Sequence, residues 1–357
     1  MLGAALIPMG VPSRYAASGS ALMTPDEARL PVARAVELPA EAHRLAAQAL
    51  ELEANRRAPN TRRAYESDFD HFTDWCSTMG LVPLPATPEA VYLYLCALVA
   101  DDNAADYAIT TLDRRLAAIT YIHETSGHPV SPAKHVRVRE LMAGIRRTYG
   151  RPLNKRDALT TAQLHTMVAG LDLATKRGLR DRAILLIGYA GAFRRSELAP
   201  LRAEQLRRRG DGYVVSLVRT KSDQESHGRE VGIPAFAGSS LCPVTALDTW
   251  LTAAAISTGP VFRKVTRYDT VTSQALAPST VALIVKRAAS AAAIPPGRLA
   301  GHSLRSGHAT TAAENGAPDR VIMRQTGHRS VETLEGYIRS GNVLRENSAR
   351  YLNLEDP

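Results

Sequence analysis

From Pro39 to Gly150 apolar side chains recur at three- and four-residue steps through one stretch after another, and no stretch alternates them with period two. A segment of that kind builds helices that bury a stripe against one another and offers no sheet edge. The pattern first turns helical over Pro39–Arg57. In NTRRAYESDFDHFTDWC, Tyr65, Phe69, Phe72 and Cys76 share one face, with Asn60 as the expected N-cap. TPEAVYLYLCALVADD has Thr87 as cap and Pro88 at the first helical position. Ile109, Leu112, Leu116, Ile119 and Ile122 mark a fourth helix that stops at Gly127. KHVRVRELMAGIRRTYG forms a fifth that ends at Gly150.

RPLNKRDAL then reads as an exposed linker, and the pattern beyond it is mixed. Helices are expected near 160–170, 178–190, 243–255 and 279–293. GYVVSLVRTK and REVGIP, joined by the polar SDQESHG, form one hairpin. The expected organisation is a flexible tail over 1–36, a helical domain over 37–150 and a mixed domain over 151–357. The fold class is mainly α with one small antiparallel sheet. There is no internal repeat, heptad seam, P-loop or G-x-G-x-x-G.

Charge points to the partner. The chain carries +9 overall, yet residues 1–55 hold four Arg against six Asp and Glu, so the remainder is the strongly basic part. A basic body of this size suggests a polyanion, nucleic acid first, although a solvated basic surface has the same composition. Cys76, Cys96 and Cys242 stand far apart with no C-x-x-C, which argues against a disulfide framework or zinc site and for a reducing cytoplasm. No apolar run reaches the length of a membrane span. The opening MLGAALIPMGVPSRYAASGS lacks a basic n-region and reads as a loose tail.

The chemistry-bearing residues lie in the second half. In GAFRRSELAPLR, Arg194 and Glu197 are one turn apart. Helical phase sets Arg194 on the side of Leu198 and Leu201, facing inward, and turns Arg195 away. His302 and Arg305 in HSLR share a face, with His308 pointing elsewhere. His328 follows Gly327 at a turn, and Tyr337 follows Gly336. Lys221 ends a strand before a polar loop. Taken singly, these read equally well as a helix-face ion pair, a capped basic turn, packing for the tyrosine and a solvated lysine.

Taken in order, R-x-S-E-L, a hairpin lysine, H-x-L-R, G-H twenty-three residues after that arginine and Tyr nine residues later form one signature. It resembles the tyrosine recombinase (phage integrase) family, and within it the simple recombinases of the Cre type, over about residues 37–354. The resemblance implies a helical core-binding domain, a mostly helical catalytic domain and a site of Arg194, Lys221, His302, Arg305, His328 and Tyr337, with Glu197 orienting the network. It implies strand cleavage and rejoining through a 3′-phosphotyrosyl link, without cofactor or metal. The partners implied are double-stranded DNA and three further copies, a homo-tetramer on two DNA sites from a monomer or dimer in solution. On these terms Arg114, Arg115, Arg137, Arg139, Arg146 and Arg147 become candidate DNA contacts from the first domain. Ser279, Thr280, Lys286 and Arg287 become candidates from a groove-reading helix in the second. The tail after Ser340 is expected to dock on a neighbouring copy through Val343, Leu344, Tyr351 and Leu352. A type IB topoisomerase and a non-catalytic DNA-binding module are the rival readings.

Overall fold

The computed structural model describes residues 41–45, 48–49, 57–100, 107–128, 130–150, 158–217, 228–328, 330–332 and 334. The chain divides into two compact units, Met1–Leu153 and Asn154–Pro357. The expected tail over 1–36, Lys221, Tyr337 and the segment after Ser340 lie outside the described residues. No described helix is long and apolar enough to cross a membrane.

In the first unit four helices are described in full: α1 (Pro59–Met79), α2 (Pro88–Ala100), α3 (Ile109–Thr125) and α4 (Val136–Tyr149). Residues 41–45 and 48–49 are helical as well. The expected stripes close on one core. Phe69, Phe72 and Cys76 meet Val91, Tyr94 and Leu95, then Leu112, Ile119 and Ile122, with Val138, Met142 and Ile145 completing it. Thr87 caps α2 by accepting from Ala90 N at 3.2 Å. Asn60 is not the cap of α1. Pro59 presets the helical φ one residue earlier, so Ala58 takes the cap position. Asn60 instead accepts from Arg63 Nη2.

The second unit holds α5 (Thr161–Ala169), α6 (Lys176–Ala190), the single turn α7 (Arg195–Leu198), α8 (Pro243–Ala253), α9 (Pro278–Ala291), α10 (Ser303–Glu314) and α11 (Asp319–Thr326). Its strands are β1 (Leu206–Arg209), β2 (Gly212–Leu217), β3 (Arg229–Ile233), β4 (Arg263–Val265) and β5 (Val271–Ala275). The expected hairpin is present, with Val215 opposite Val231, but β1 adds a third antiparallel strand in the order β1-β2-β3. β4 and β5 make a second sheet, so the single sheet read from the sequence becomes two. On β3, Val231 and Ile233 are buried, and the period of two puts Arg229 on their face.

Glycines set the closest approach in this unit. A Cβ on Gly188 of α6 would come within 3 Å of both Leu304 and Leu198. On Gly307 of α10 it would fall 2.1 Å from the Leu159 carbonyl oxygen. Gly188 thus lets the Leu304 side chain of α10 sit directly on α6, and Gly307 lets α10 approach the backbone just before α5.

Candidate active site

Arg305 organises the cluster. It is 1% exposed in the first turns of α10, a position that a guanidinium keeps only where acceptors surround it. Its Nη1 donates to the Ala192 carbonyl at 2.9 Å and to the Thr326 carbonyl. Ala192 lies two residues before Arg194, and Thr326 two residues before His328. One buried side chain thus draws the α6–α7 turn and the end of α11 onto α10. Ala192 adopts φ +49°, a left-handed conformation that costs a residue with a Cβ roughly 1 kcal/mol and that Arg305 helps to hold.

Arg194 faces inward, but not through the helical phase expected of it. α7 spans a single turn, Arg194 is its N-cap, and Leu201 lies beyond its end. The Glu197 carboxylate does the orienting. One oxygen accepts from Arg194 Nη1 at 2.7 Å, and the other from the Arg194 backbone N–H at 2.9 Å. Glu197 is buried, the Arg194 side chain is 19% exposed, and Arg195 is exposed. This is a charge-assisted pair in a desolvated setting, which fixes direction strongly.

The histidines sit within the same field. His302 is the N-cap residue of α10, open to solvent on one side. Its pKa is held below the ordinary value by partial burial, then by the charges of Arg305, Arg194 and Arg195. His328 follows Gly327, which ends α11 with φ +70°. Burial, then Arg305, Arg194, His302 and Arg229, depress its pKa to about 4. Its Nδ1 lies 3.0 Å from Thr326 Oγ1. That hydroxyl donates to the Ile322 carbonyl at 2.7 Å, so it accepts from Nδ1–H, and Nε2 carries no proton in the neutral ring. His308 turns away toward the Tyr189 ring, at 6.3 Å between centroids.

Arg229 was missed by the sequence reading. It is largely buried at the head of β3 and donates to the Gln325 carbonyl at 2.7 Å and to Glu197 at 3.2 Å. Its alternation with Val231 and Ile233 was the signal that could have found it. Among the described residues no group of three or more His, Cys, Asp or Glu side chains is placed to hold a metal ion.

Among the expected DNA contacts, Arg115 is corrected. It is 6% exposed and lies over the rings of Tyr107 and Tyr94, because its helical phase is that of Leu112, Ile119 and Ile122. Arg114 pairs with Asp68 at 2.7 Å, Arg146 with Asp113 at 2.5 Å and Arg287 with Asp181 at 2.5 Å. Arg137, over the Tyr92 ring, is exposed, as are Arg139, Arg147, Ser279 and Lys286, and Thr280 is half-buried.

Residues 157–342 match the phage integrase family, and residues 49–125 match the N-terminal SAM-like domain of phage integrases. The chain belongs to the phage integrase family. Among its relatives is the integrase/recombinase xerD homolog of Selenomonas ruminantium, 37% identical over 306 residues, or 84% of this chain and 88% of that protein. Tyrosine recombinase XerD of Xanthomonas axonopodis pv. citri is 34% identical over 191 residues, covering 50% of this chain and 57% of that one. In fold, this tyrosine recombinase is similar to XerH site-specific recombinase bound to palindromic difH substrate, with a TM-score of 0.61 at 15% identity over 85% and 83% of the two chains. The Tn1549 transposon integrase in complex with transposon right end DNA gives 0.56 at 14% identity over 83% and 93%.

Proposed function

We propose that this recombinase cleaves and rejoins DNA at a short inverted-repeat core site through a 3′-phosphotyrosyl intermediate on Tyr337. The observation that carries the reading is the convergence of Arg194, Arg305, His302 and His328 through the two carbonyls that Arg305 holds. A phosphodiester attacked by a phenol passes through a pentavalent centre with added charge on its non-bridging oxygens. Arg194 and Arg305 present guanidiniums that keep their protons at any working pH and can fork onto those oxygens.

The Tyr337 phenol, with a reference pKa of about 10, needs an acceptor for its proton. His302, kept neutral by its surroundings, is that acceptor. The new P–O bond to Tyr337 forms as the P–O5′ bond breaks, and Lys221 gives its proton to the departing 5′-oxygen. His328, taking up a proton as the phosphate binds, donates through Nε2 to a phosphate oxygen. Bond energy stays in the protein–DNA ester, so a free 5′-hydroxyl can reverse the step on a new strand without nucleotide or metal.

Exchange between two duplexes takes four copies. The segment after Ser340 supplies Val343, Leu344, Tyr351 and Leu352 as anchors. A cavity of about 680 Å³ between α6, α11 and the loop before α8, lined by Leu186, Tyr189, Phe236, Leu241, Val321 and Ile322, suits such side chains of a neighbouring copy. On the DNA, Arg137, Arg139, Arg147, Ser279 and Lys286 are the readiest contacts. Arg114, Arg146 and Arg287 would share their charge with a carboxylate.

A nicked suicide duplex tests the chemistry. The wild-type protein is expected to trap as a covalent 3′ adduct on a denaturing gel, and Tyr337→Phe to bind the same duplex without an adduct. An adduct persisting in that variant would refute the nucleophile. Lys221→Ala is expected to be rescued by a 5′-bridging phosphorothioate, whose thiolate leaves without a proton.

A further inference from the structure

Arg229 has no part in the chemistry above, yet it touches three of the elements that carry it. One amino group donates to Glu197 Oε2, the same oxygen that accepts from the Arg194 backbone N–H. The other donates to the Gln325 carbonyl, three residues before His328. Its guanidinium also lies against Gly327: a Cβ built there would come 3.1 Å from Arg229 Cζ, Nε and Nη1. Only glycine brings this turn so close to the guanidinium, and φ +70° favours glycine at the same place. Arg229 itself opens β3, immediately after the segment that contains Lys221.

Stability does not explain this placement. Burial and the charge of Arg194 both work against the cation, with Glu197 opposing them, and the balance lowers the Arg229 pKa. A buried ion of this kind is often no more stabilising than an apolar residue of equal volume. What it provides is geometry. Glu197 stands between two guanidiniums, and with only Arg194 to hold it the carboxylate could turn about its own axis, carrying Arg194 with it. Gln325 strengthens the same joint, donating through Nε2 to the Ala190 carbonyl at 3.0 Å and the Gly232 carbonyl at 2.9 Å.

We propose that Arg229 is a positioning residue that holds the Arg194–Glu197 pair and the Gly327–His328 turn in register on one phosphate. This rests on the cleavage reading above and extends it to a residue that touches no reacting atom.

The test compares Arg229→Gln, Arg229→Lys, Glu197→Gln and the Arg229→Gln/Glu197→Gln double variant in the full-length protein. The probe is a pool of random-sequence duplexes enriched by binding to the wild-type protein and nicked to trap the adduct. At saturating protein, Arg229→Gln is expected to slow single-turnover cleavage about 10²-fold, the effect of a misplacement on the order of 1 Å, with affinity within about threefold of wild type. Arg229→Lys should recover part of the rate. The double variant should fall no further than the slower single variant, because both changes break one connection. Unchanged cleavage in Arg229→Gln, or losses that multiply in the double variant, would overturn the assignment.

A second measurement needs no DNA. The His328 ring, followed by NMR, should titrate at higher pH in Arg229→Gln than in wild type, and near the wild-type value in Arg229→Lys. In a variant shown by circular dichroism to keep the wild-type fold, an unmoved titration in Arg229→Gln would overturn the assignment even if cleavage could not be measured. A wild-type protein that formed no adduct on any duplex would refute the cleavage reading, whereas the ring titration judges Arg229 on its own.

Discussion

Binding of the target phosphate should draw a proton onto His328, and the size of that uptake follows from the geometry. In the DNA-free protein the ring titrates at about 4, so at pH 6 only about one ring in a hundred is charged. Nδ1–H is committed to Thr326 Oγ1, which leaves Nε2 of the neutral ring without a proton, as a lone pair. A lone pair aimed at a phosphate oxygen repels it; an imidazolium donates to it. A unit negative charge at about 4 Å, at an effective dielectric of about 20, favours the charged ring by about 4 kcal/mol. That is about three pKa units and moves the ring to about 7, so binding at pH 6 takes up nearly one proton. Affinity for the site should therefore rise as pH falls from about 8 to 6. Calorimetry of Tyr337→Phe on its duplex, in buffers of different ionisation enthalpy, reads the uptake directly. Adding His328→Gln should remove most of it, while any contribution from His302 remains in both proteins. Equal uptake with and without His328 would refute the reasoning. In the absence of DNA the sign reverses. The unfolded ring gains its proton near 6.5 and the folded ring only near 4, so the ring's share of stability is complete above about 6.5. It is lost as pH falls toward 4.

Other perturbations separate the site from its supports. Arg194→Ala should lower cleavage about 10²–10³-fold, while Arg195→Ala, exposed and outside the Glu197 pair, should act on DNA affinity. Equal cleavage losses with binding intact would contradict the geometry. Gly307→Ala should lower the melting temperature, since its Cβ would meet the Leu159 carbonyl at 2.1 Å, a backbone atom with no room to yield. Gly144→Ala, with nothing within 4 Å, should raise stability by up to about 1 kcal/mol through helix propensity. Truncation after Ser340 should leave half-site binding unchanged and abolish cooperative filling of a full site, read by mobility-shift titration.

The helices were legible because burial leaves a periodic mark, as Phe69, Phe72 and Cys76 show. Elements without that mark were not. β1 is LRRR, a run with no alternation, and exists because Leu206 to Arg209 pair with β2. β5 is half-buried to exposed along its length, so no inner face announces it. Tandem arginines posed a different difficulty. Arg114 and Arg115 look alike in composition, yet successive helical residues point about 100° apart, and only Arg115 shares the buried phase of Leu112 and Ile119. Had that phase been applied to charged residues as strictly as to apolar ones, Arg115 would not have been counted among the DNA contacts.

The site shows the same division between what a linear pattern carries and what only folding supplies. R-x-S-E-L, H-x-L-R and G-H are local motifs, and the first and last find a partner within a few residues, as Glu197 does for Arg194 and Thr326 for His328, whereas Arg305 reaches Ala192 and Thr326. The described partners of Arg229 are distant in sequence. Glu197 is 32 residues away and Gln325 is 96, so no spacing rule could tie them. A charged residue on the inward face of a strand is the trace that such long-range duty leaves in a sequence. The period of two that buries Val231 and Ile233 also turns Arg229 toward Glu197. On the proposed cleavage reading both kinds of information are needed: motifs that bring the groups meant to meet the phosphate, and a strand register that brings Arg229 against Glu197.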